Sequence, residues 1–388
     1  MGIKDNPDWD PRSPRVLEDQ IAAYDEVRRR CPVAYSEYLH WSLFRHADVM
    51  RALSDPATFS SVVSSHLSAP NGMDPPAHTV YRRLIEPYFS PARMTAFEPD
   101  CQRIAVDLVR SLSAVREVEL MGEFAHEFAV RIQCAFLGWP GDMHEPLRAW
   151  IRKNHAATLA RDRAAMAAVA REFDGHVRVL LEARCRAGPA APDDVTTSLL
   201  RERIGERALH DEELVSILRN WTVGELGTIA SCVGILTCYV AERPALQNRL
   251  RQQPALLPAA IDEILRIHAP LIANRRVAAR AVEFDSRTIE AGERITLLWA
   301  SANRDEAVFG DPDEFRLDRD PALNLLYGAG IHVCPGAPLA RLELRIVMEE
   351  LLAHTRNIAL APGRTPVRAI YPASGFAALP LRIAPRTT

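Results

Sequence analysis

The 388-residue chain is 48% hydrophobic and 25% charged, with a formal net charge of only −3. That balance excludes a disordered chain and a protein that holds nucleic acid by bulk positive charge, and it leaves ample apolar material for a core around a cofactor. No Gly/Ser-rich or charge-rich linker interrupts it, so one large domain over 1–388 is expected.

Residues 1–15 are polar and proline-dotted, with neither a signal-peptide apolar core nor a bilayer-length span, so a cytoplasmic protein with no membrane partner is expected. Met1-Gly2 begins like a myristoylation site, but Asn6 stands where that motif needs Ser or Thr. The basic residues are nearly all arginine, Lys4 and Lys153 being the only lysines. Strands are expected at Val33–Tyr35 and Ser42–Arg45, and a polar surface loop over 55–76. Apolar spacing of three and four predicts helices over about 93–115 and 142–187, followed by a Gly/Pro/Asp loop at 186–194. Further helices are expected over 211–242, 254–268 and 338–354, and strands at Ala281–Phe284, Arg294–Trp299 and Leu379–Ile383. The fold class is mainly α with a minor β-sheet.

The helix predicted from Asp211 is long enough, at roughly 45 Å, to cross the molecule's centre. Its second half, Ile229 to Val240, is apolar nearly all round, as a buried helix is. In its middle, Val223-Gly224-Glu225-Leu226-Gly227-Thr228 breaks the core pattern with two glycines and a carboxylate. Such glycines serve either close helix packing or a kinked functional segment.

Of the seven cysteines, at 31, 101, 134, 185, 232, 238 and 334, none forms a CxxC pair. Neither a disulfide framework nor a structural zinc site is indicated, and six read as small buried hydrophobes. Cys334 differs. It lies in Tyr327-Gly-Ala-Gly-Ile-His-Val-Cys-Pro-Gly336, just ahead of the predicted helix from Ala337. Gly328, Gly330 and Gly336 allow the backbone to pass close under a flat ligand. A thiol before a helix N-terminus is expected to favour the thiolate, the form a haem iron takes as axial ligand.

This segment resembles the haem-binding loop of the cytochrome P450 family, Phe-x-x-Gly-x-His/Arg-x-Cys-x-Gly, through Tyr327, Gly330, His332, Cys334 and Gly336, with tyrosine in place of phenylalanine. The resemblance extends over nearly the whole chain. It implies a triangular single-domain fold, with haem b between the long central helix and the helix after the cysteine loop, and Cys334 as the metal ligand. Glu263 and Arg266 match the family's Glu-x-x-Arg pair, a structural network completed by an arginine of a downstream meander. Arg319 is the choice for that arginine and Arg316 the alternative. His78 and Arg82, four apart on one helical face, Arg276 and His332 match positions that hold the haem propionates. Tyr327, Gly328 and Gly336 join them in lining the cofactor.

In the long helix the family carries Ala/Gly-Gly-x-Asp/Glu-Thr. Anchoring on Thr228 gives Gly224 for the glycine and Gly227 where the acid belongs. Either Glu225 substitutes for that acid through water, or it points away and is structural. Val223, Gly224, Thr228, Ile272, Ala273, Asn274 and Phe376 are the substrate-pocket candidates, and their mixed small and apolar character suits an uncharged or weakly polar substrate.

The activity implied is insertion of oxygen from O2 into a small organic molecule, with electrons from a reductase through a separate ferredoxin or flavodoxin. Oxidative coupling, desaturation or peroxide-driven turnover on the same cofactor remain open, and a haem sensor or carrier is the remote alternative. No HExxH and no catalytic serine elbow supports a zinc or serine hydrolase.

Overall fold

The computed structural model describes residues 7–113, 117–160 and 162–386. Lys4 and the Met1-Gly2 start with its Asn6 lie outside the described residues. The architecture is mostly helical, with one five-stranded sheet and smaller ones at the periphery.

The long helix runs unbroken as α-helix from Asp211 to Ala241. Its N-terminus is fixed by Glu213, whose carboxylate accepts the His210 backbone N–H at 2.7 Å. Arg207 donates to the same carboxylate at 2.7 and 2.8 Å, and Tyr81 also donates to it. Every residue from Ile229 to Ala241 is buried, which accounts for a stretch apolar enough to span a membrane by composition alone. It packs against His126–Leu137, Leu257–His268 and the cysteine helix, Ala337–His354. The cysteine helix in turn lies along Pro91–Ser113.

The expected 142–187 helix is two helices, His144–Ala160 and Arg163–Ala187. Asp162 starts the second by accepting the N–H groups of Ala164 and Ala165, each at 2.9 Å. The expectation for 55–76 also needs correction. Phe59–Ser60 adds a short strand to the main sheet, and Ala69 is fully buried, its N–H on Ser216 Oγ of the long helix at 2.9 Å.

The main sheet runs in the order Val33–Ser36, His40–Leu43, Arg294–Leu298, Ala273–Ala278, Phe59–Ser60. His40–Leu43 pairs in parallel with Arg294–Leu298, and all other neighbours are antiparallel. The second strand therefore begins two residues before its expected start, and the strand expected to reach Trp299 stops at Leu298, where a helical turn takes over. Ala273–Ala278, read from sequence only as site residues, is a strand with Arg276 opposite Ile295. A three-stranded sheet places the C-terminal strand Pro380–Pro385 between Thr355–Leu360 and Glu117–Glu119.

Four of the six cysteines expected in the core are buried, but Cys31 is half-buried and Cys185 exposed. Helices at Gln20–Arg30, His46–Ser54, His126–Leu137 and Pro244–Gln252 were not anticipated as elements, whereas the helical spacing of His78 and Arg82 falls on the helix Ala77–Ile85.

Candidate functional site

The cysteine loop is held at both ends by its own backbone. Cys334 N–H donates to Tyr327 O at 2.8 Å and Gly328 N–H to Leu325 O at 2.9 Å. Gly328 and Gly330 have φ of +72° and +68°, in the left-handed region that favours glycine. Gly330 has a second reason to be glycine, since a Cβ there would overlap the backbone carbonyl oxygen of Leu53 at the end of His46–Ser54. This glycine therefore fits protein against protein rather than protein under a flat ligand. Gly336, with an ordinary φ, precedes the cysteine helix.

Cys334 is accessible on its surface, yet its thiol lies deep in the molecule. Burial raises its pKa, opposed by the N–H groups of Gly336 and Ala337 at the helix start. The N–H groups at the helix start thus act in the direction expected for a thiolate, against the cost of burial.

Two arginines and two histidines gather around the cysteine loop. His78 and Arg82 share a face of Ala77–Ile85. The His332 ring lies 4.3 Å from the His78 ring, and its Nε2 pairs with Ser61 Oγ at 2.9 Å. Burial, then the nearby Arg276 charge, lowers the His332 pKa to about 4, so the ring is neutral. His78 is lowered by burial and by Arg82, and its Nε2 is buried without a partner. Arg82 donates to Val333 O at 2.5 Å and to Glu86 at 2.7 Å, tying the cysteine loop to its own helix.

Arg276 is 7% exposed, and its guanidinium donates to the Arg275 carbonyl at 2.8 Å. Among the described residues no carboxylate hydrogen-bonds it, and burial lowers its pKa with only Asp74 opposing. A buried guanidinium normally has a carboxylate partner. Arg276 without a carboxylate, beside Arg82, His78 and His332, fits the paired carboxylates of a haem.

The long helix supplies the opposite wall. Val223, Gly224 and Gly227 are exposed while Thr222, Leu226 and Ile229 are buried, so one face of a central helix is open. A Cβ on Gly224 or Gly227 would meet nothing within 4 Å. Close packing is therefore not their purpose; Gly234, where a Cβ would lie 2.6 Å from Met121 Sδ, is the glycine of this helix used that way. Phe89 joins the two walls. It lies 3.8 Å from the Cβ position of Gly336, and its ring is 5.3 Å from that of Trp221.

Thr228 is half-buried on this helix. Glu225 Oε1 is buried without a hydrogen-bond partner among the described residues, as are both carboxyl oxygens of Glu343 on the cysteine helix, a residue that sequence reasoning missed. Ala273 is partly buried and Asn274 exposed on their strand. Ile272 packs with Tyr24, Phe44 and Leu298, and Phe376 lies against Gly234 under Arg368. Both line a cavity of about 240 Å³ beside the second half of the long helix, with Ile235 and His268.

The Glu-x-x-Arg pair is fully assembled. Arg266, 1% exposed, donates to Glu263 at 2.7 and 2.9 Å and to the carbonyls of Asn303 and Pro312. Arg319 donates to Glu263 Oε1 at 2.9 Å and to three meander carbonyls, whereas Arg316 gives Glu263 only its backbone N–H, its side chain pairing with Asp318. Arg319 is therefore the third member. A second buried network sets Arg28, one turn along the same helix, and Arg304, 279 residues away, around Asp25. Tyr327 stacks its ring under Arg341 at 4.4 Å, while its hydroxyl is buried without a partner.

The family model for cytochrome P450 matches residues 140–360. A putative cytochrome P450, YjiB, of Bacillus subtilis is 30% identical over 87% of this chain and 89% of its own. The erythromycin C-12 hydroxylase of Saccharopolyspora erythraea is 31% identical over 87% and 88%. The solved structure of the Bacillus subtilis bacillaene synthase cytochrome P450, PksS, superimposes with a TM-score of 0.87 at 25% identity, over 97% of this chain and 99% of that one.

Proposed function

The chain belongs to the cytochrome P450 family of haem monooxygenases, and we propose that it inserts one oxygen atom from O2 into a small, mostly apolar organic molecule. It does so as a single cytoplasmic domain, with haem b ligated by Cys334 and electrons delivered by a separate ferredoxin or flavodoxin and its reductase. The observation that carries the site assignment is buried Arg276, with no carboxylate hydrogen-bonded to it among the described residues, in one cluster with His332 and His78 beside the loop of an accessible thiol.

Haem bound there would supply the redox-active iron that activates dioxygen. The chain's own residues do the rest. Cys334 gives a thiolate ligand, held in place by the Tyr327 carbonyl and the N–H groups at the helix start. Arg276, Arg82, His78 and His332 hold the propionates through charge-assisted hydrogen bonds. Glu263, Arg266 and Arg319 fix the meander that precedes the loop. Val223, Gly224, Ala273 and Asn274 present a small, largely apolar lining that suits an uncharged substrate, and Thr228 places a hydroxyl at the edge of the helix's open face.

Ligation is tested on reduced protein under carbon monoxide. The wild type should show the long-wavelength Soret band of a thiolate ligand, and Cys334→Ala should lose it. A variant that keeps the band has another ligand, and the assignment fails.

A further inference from the structure

The cavity of about 240 Å³ beside the long helix is walled by residues 17–21, the second half of that helix, the end of Leu257–His268 and the segment 366–376. Cys334, Arg276 and Thr228 take no part in its wall. Along the long helix, Ser231 stands between Thr228 and Ile235, the first residue of that helix to line the cavity, and the segment 369–376 is fastened there. Ser231 Oγ donates to Ser374 O at 2.8 Å, and a Cβ on Gly375 would lie 2.8 Å from the same oxygen. Two further bonds tie the segment down, Gln20 Nε2 to Ala369 O at 3.0 Å and Ser374 Oγ to Ala269 O at 2.5 Å. The cavity therefore lies behind a secured partition, on the far side from the haem site.

Its size is beyond ordinary packing. Protein interiors leave few gaps larger than a water molecule, and a cavity of about 150 Å³ already admits benzene. This one has room for a second ring. Leu17, Ile21, Ile235 and Leu360 make its lining apolar, and Tyr239 and Phe376 add aromatic rings. Among these, His268 is half-buried with its ring centroid 5.4 Å from that of Tyr239. Among the described residues its imidazole makes no hydrogen bond. Burial, then the Arg368 charge, lowers its pKa to about 4, so at neutral pH it offers one N–H donor and one nitrogen acceptor. The exposed lining residues carry both signs, Glu18, Asp19 and Glu242 against Arg368, so their charge does not select an ion. An apolar hollow with one free polar group is the usual make-up of a small-molecule site.

We propose that this cavity is a ligand site separate from the haem pocket, taking an uncharged two-ring molecule whose hydroxyl hydrogen-bonds His268 while its rings lie against Tyr239 and Phe376. The site goes beyond the monooxygenase reading. Its occupant is not the molecule oxidised, because neither the thiol nor the cations around the cysteine loop reach this cavity.

The probe is 2-naphthol, and the haem pocket is first filled with 4-phenylimidazole, whose binding is followed by the Soret shift. Equilibrium dialysis of the azole-saturated holoprotein should find one equivalent of 2-naphthol bound. His268→Leu should weaken that binding about fivefold, the worth of one neutral hydrogen bond. Cys238 is a buried lining residue, and Cys238→Phe, which puts a ring into the space, should abolish binding while leaving the azole-induced Soret shift intact. Azole-saturated wild type that binds no 2-naphthol, a folded Cys238→Phe protein that still binds it, or an unchanged affinity in His268→Leu would overturn the site. The His268 variant decides the matter by itself if the larger side chain at 238 impairs folding. Failure of the monooxygenase reading shows separately, as a wild type with no azole-induced Soret shift.

Discussion

Adding one methyl group at Gly330 should damage the cysteine loop more than at any of its other glycines. The backbone there has φ +68°, a conformation that costs an L side chain about 1–2 kcal/mol. The new Cβ would overlap the Leu53 carbonyl oxygen and lie 3.2 Å from its carbon. Both are backbone atoms at the end of a helix, so neither can rotate away, and overpacking of this kind adds about 1–3 kcal/mol. The sum, roughly 2–5 kcal/mol, is a large fraction of the ~5–15 kcal/mol that typically holds a folded protein together. Gly328 supplies the control. Its φ is +72°, but its nearest neighbours are 3.9 Å away, so Gly328→Ala should cost only the backbone share, about 1–2 kcal/mol. Thermal unfolding and the rate of haem transfer to an apo-globin should rank Gly330→Ala well below Gly328→Ala. Equal losses at the two positions would refute the Leu53 contact as the reason for this glycine. A Gly330→Ala protein of wild-type stability would refute both contributions.

Arg276→Leu should speed haem loss by ~10-fold or more, since a charge-assisted hydrogen bond contributes about 1.5–3 kcal/mol. Arg82→Leu should do less, because part of that guanidinium already serves Val333 and Glu86; the reverse ranking would displace Arg276 as the principal anion partner. Glu263→Gln leaves two guanidiniums facing one neutral amide and should destabilise by about 3–5 kcal/mol, the usual cost of breaking a buried pair. Denaturant unfolding within error of wild type would contradict that network's role. Arg207 holds the Glu213 carboxyl down at about 2. A pKa depressed below the unfolded value of about 4.3 stabilises the fold above that pH, and the gain disappears as pH falls from about 4 toward 2. Wild type should therefore exceed Glu213→Gln in stability at pH 7 and converge on it in acid, and a constant gap across that window would refute the linkage.

What could be read from the sequence was whatever lies close together in it. Tyr327 through Gly336 carries its glycines, its cysteine and its helix start in ten residues, and Glu263 with Arg266 needs only one helical turn. The choice of Arg319 over Arg316 required three dimensions, because both lie in the same polar stretch and only the fold shows which side chain turns inward. Glu343 was invisible for a related reason. Along its own helix it looks like one more surface carboxylate among Arg341, Arg345 and Glu349, and only the packing of that helix shows it wholly buried. The start of a new helix at Arg163 was readable, since Asp162 is a good N-cap, but alanine-rich periodicity on both sides concealed it.

The parallel pairing of His40–Leu43 with Arg294–Leu298 has a consequence for synthesis. Those strands are separated by about 250 residues, and at ~5–20 residues per second the ribosome needs roughly 13–50 s to deliver the second. Until then the hairpin made from Val33–Ser36 and His40–Leu43 exposes Trp41 and Leu43, both buried in the finished molecule, along an unpaired strand edge. The cysteine loop follows about 30 residues later still. The nascent chain must therefore shield that edge, with a chaperone or with its own N-terminal helix, for most of the time it takes to be made, and the haem site is among the last parts of the protein to exist.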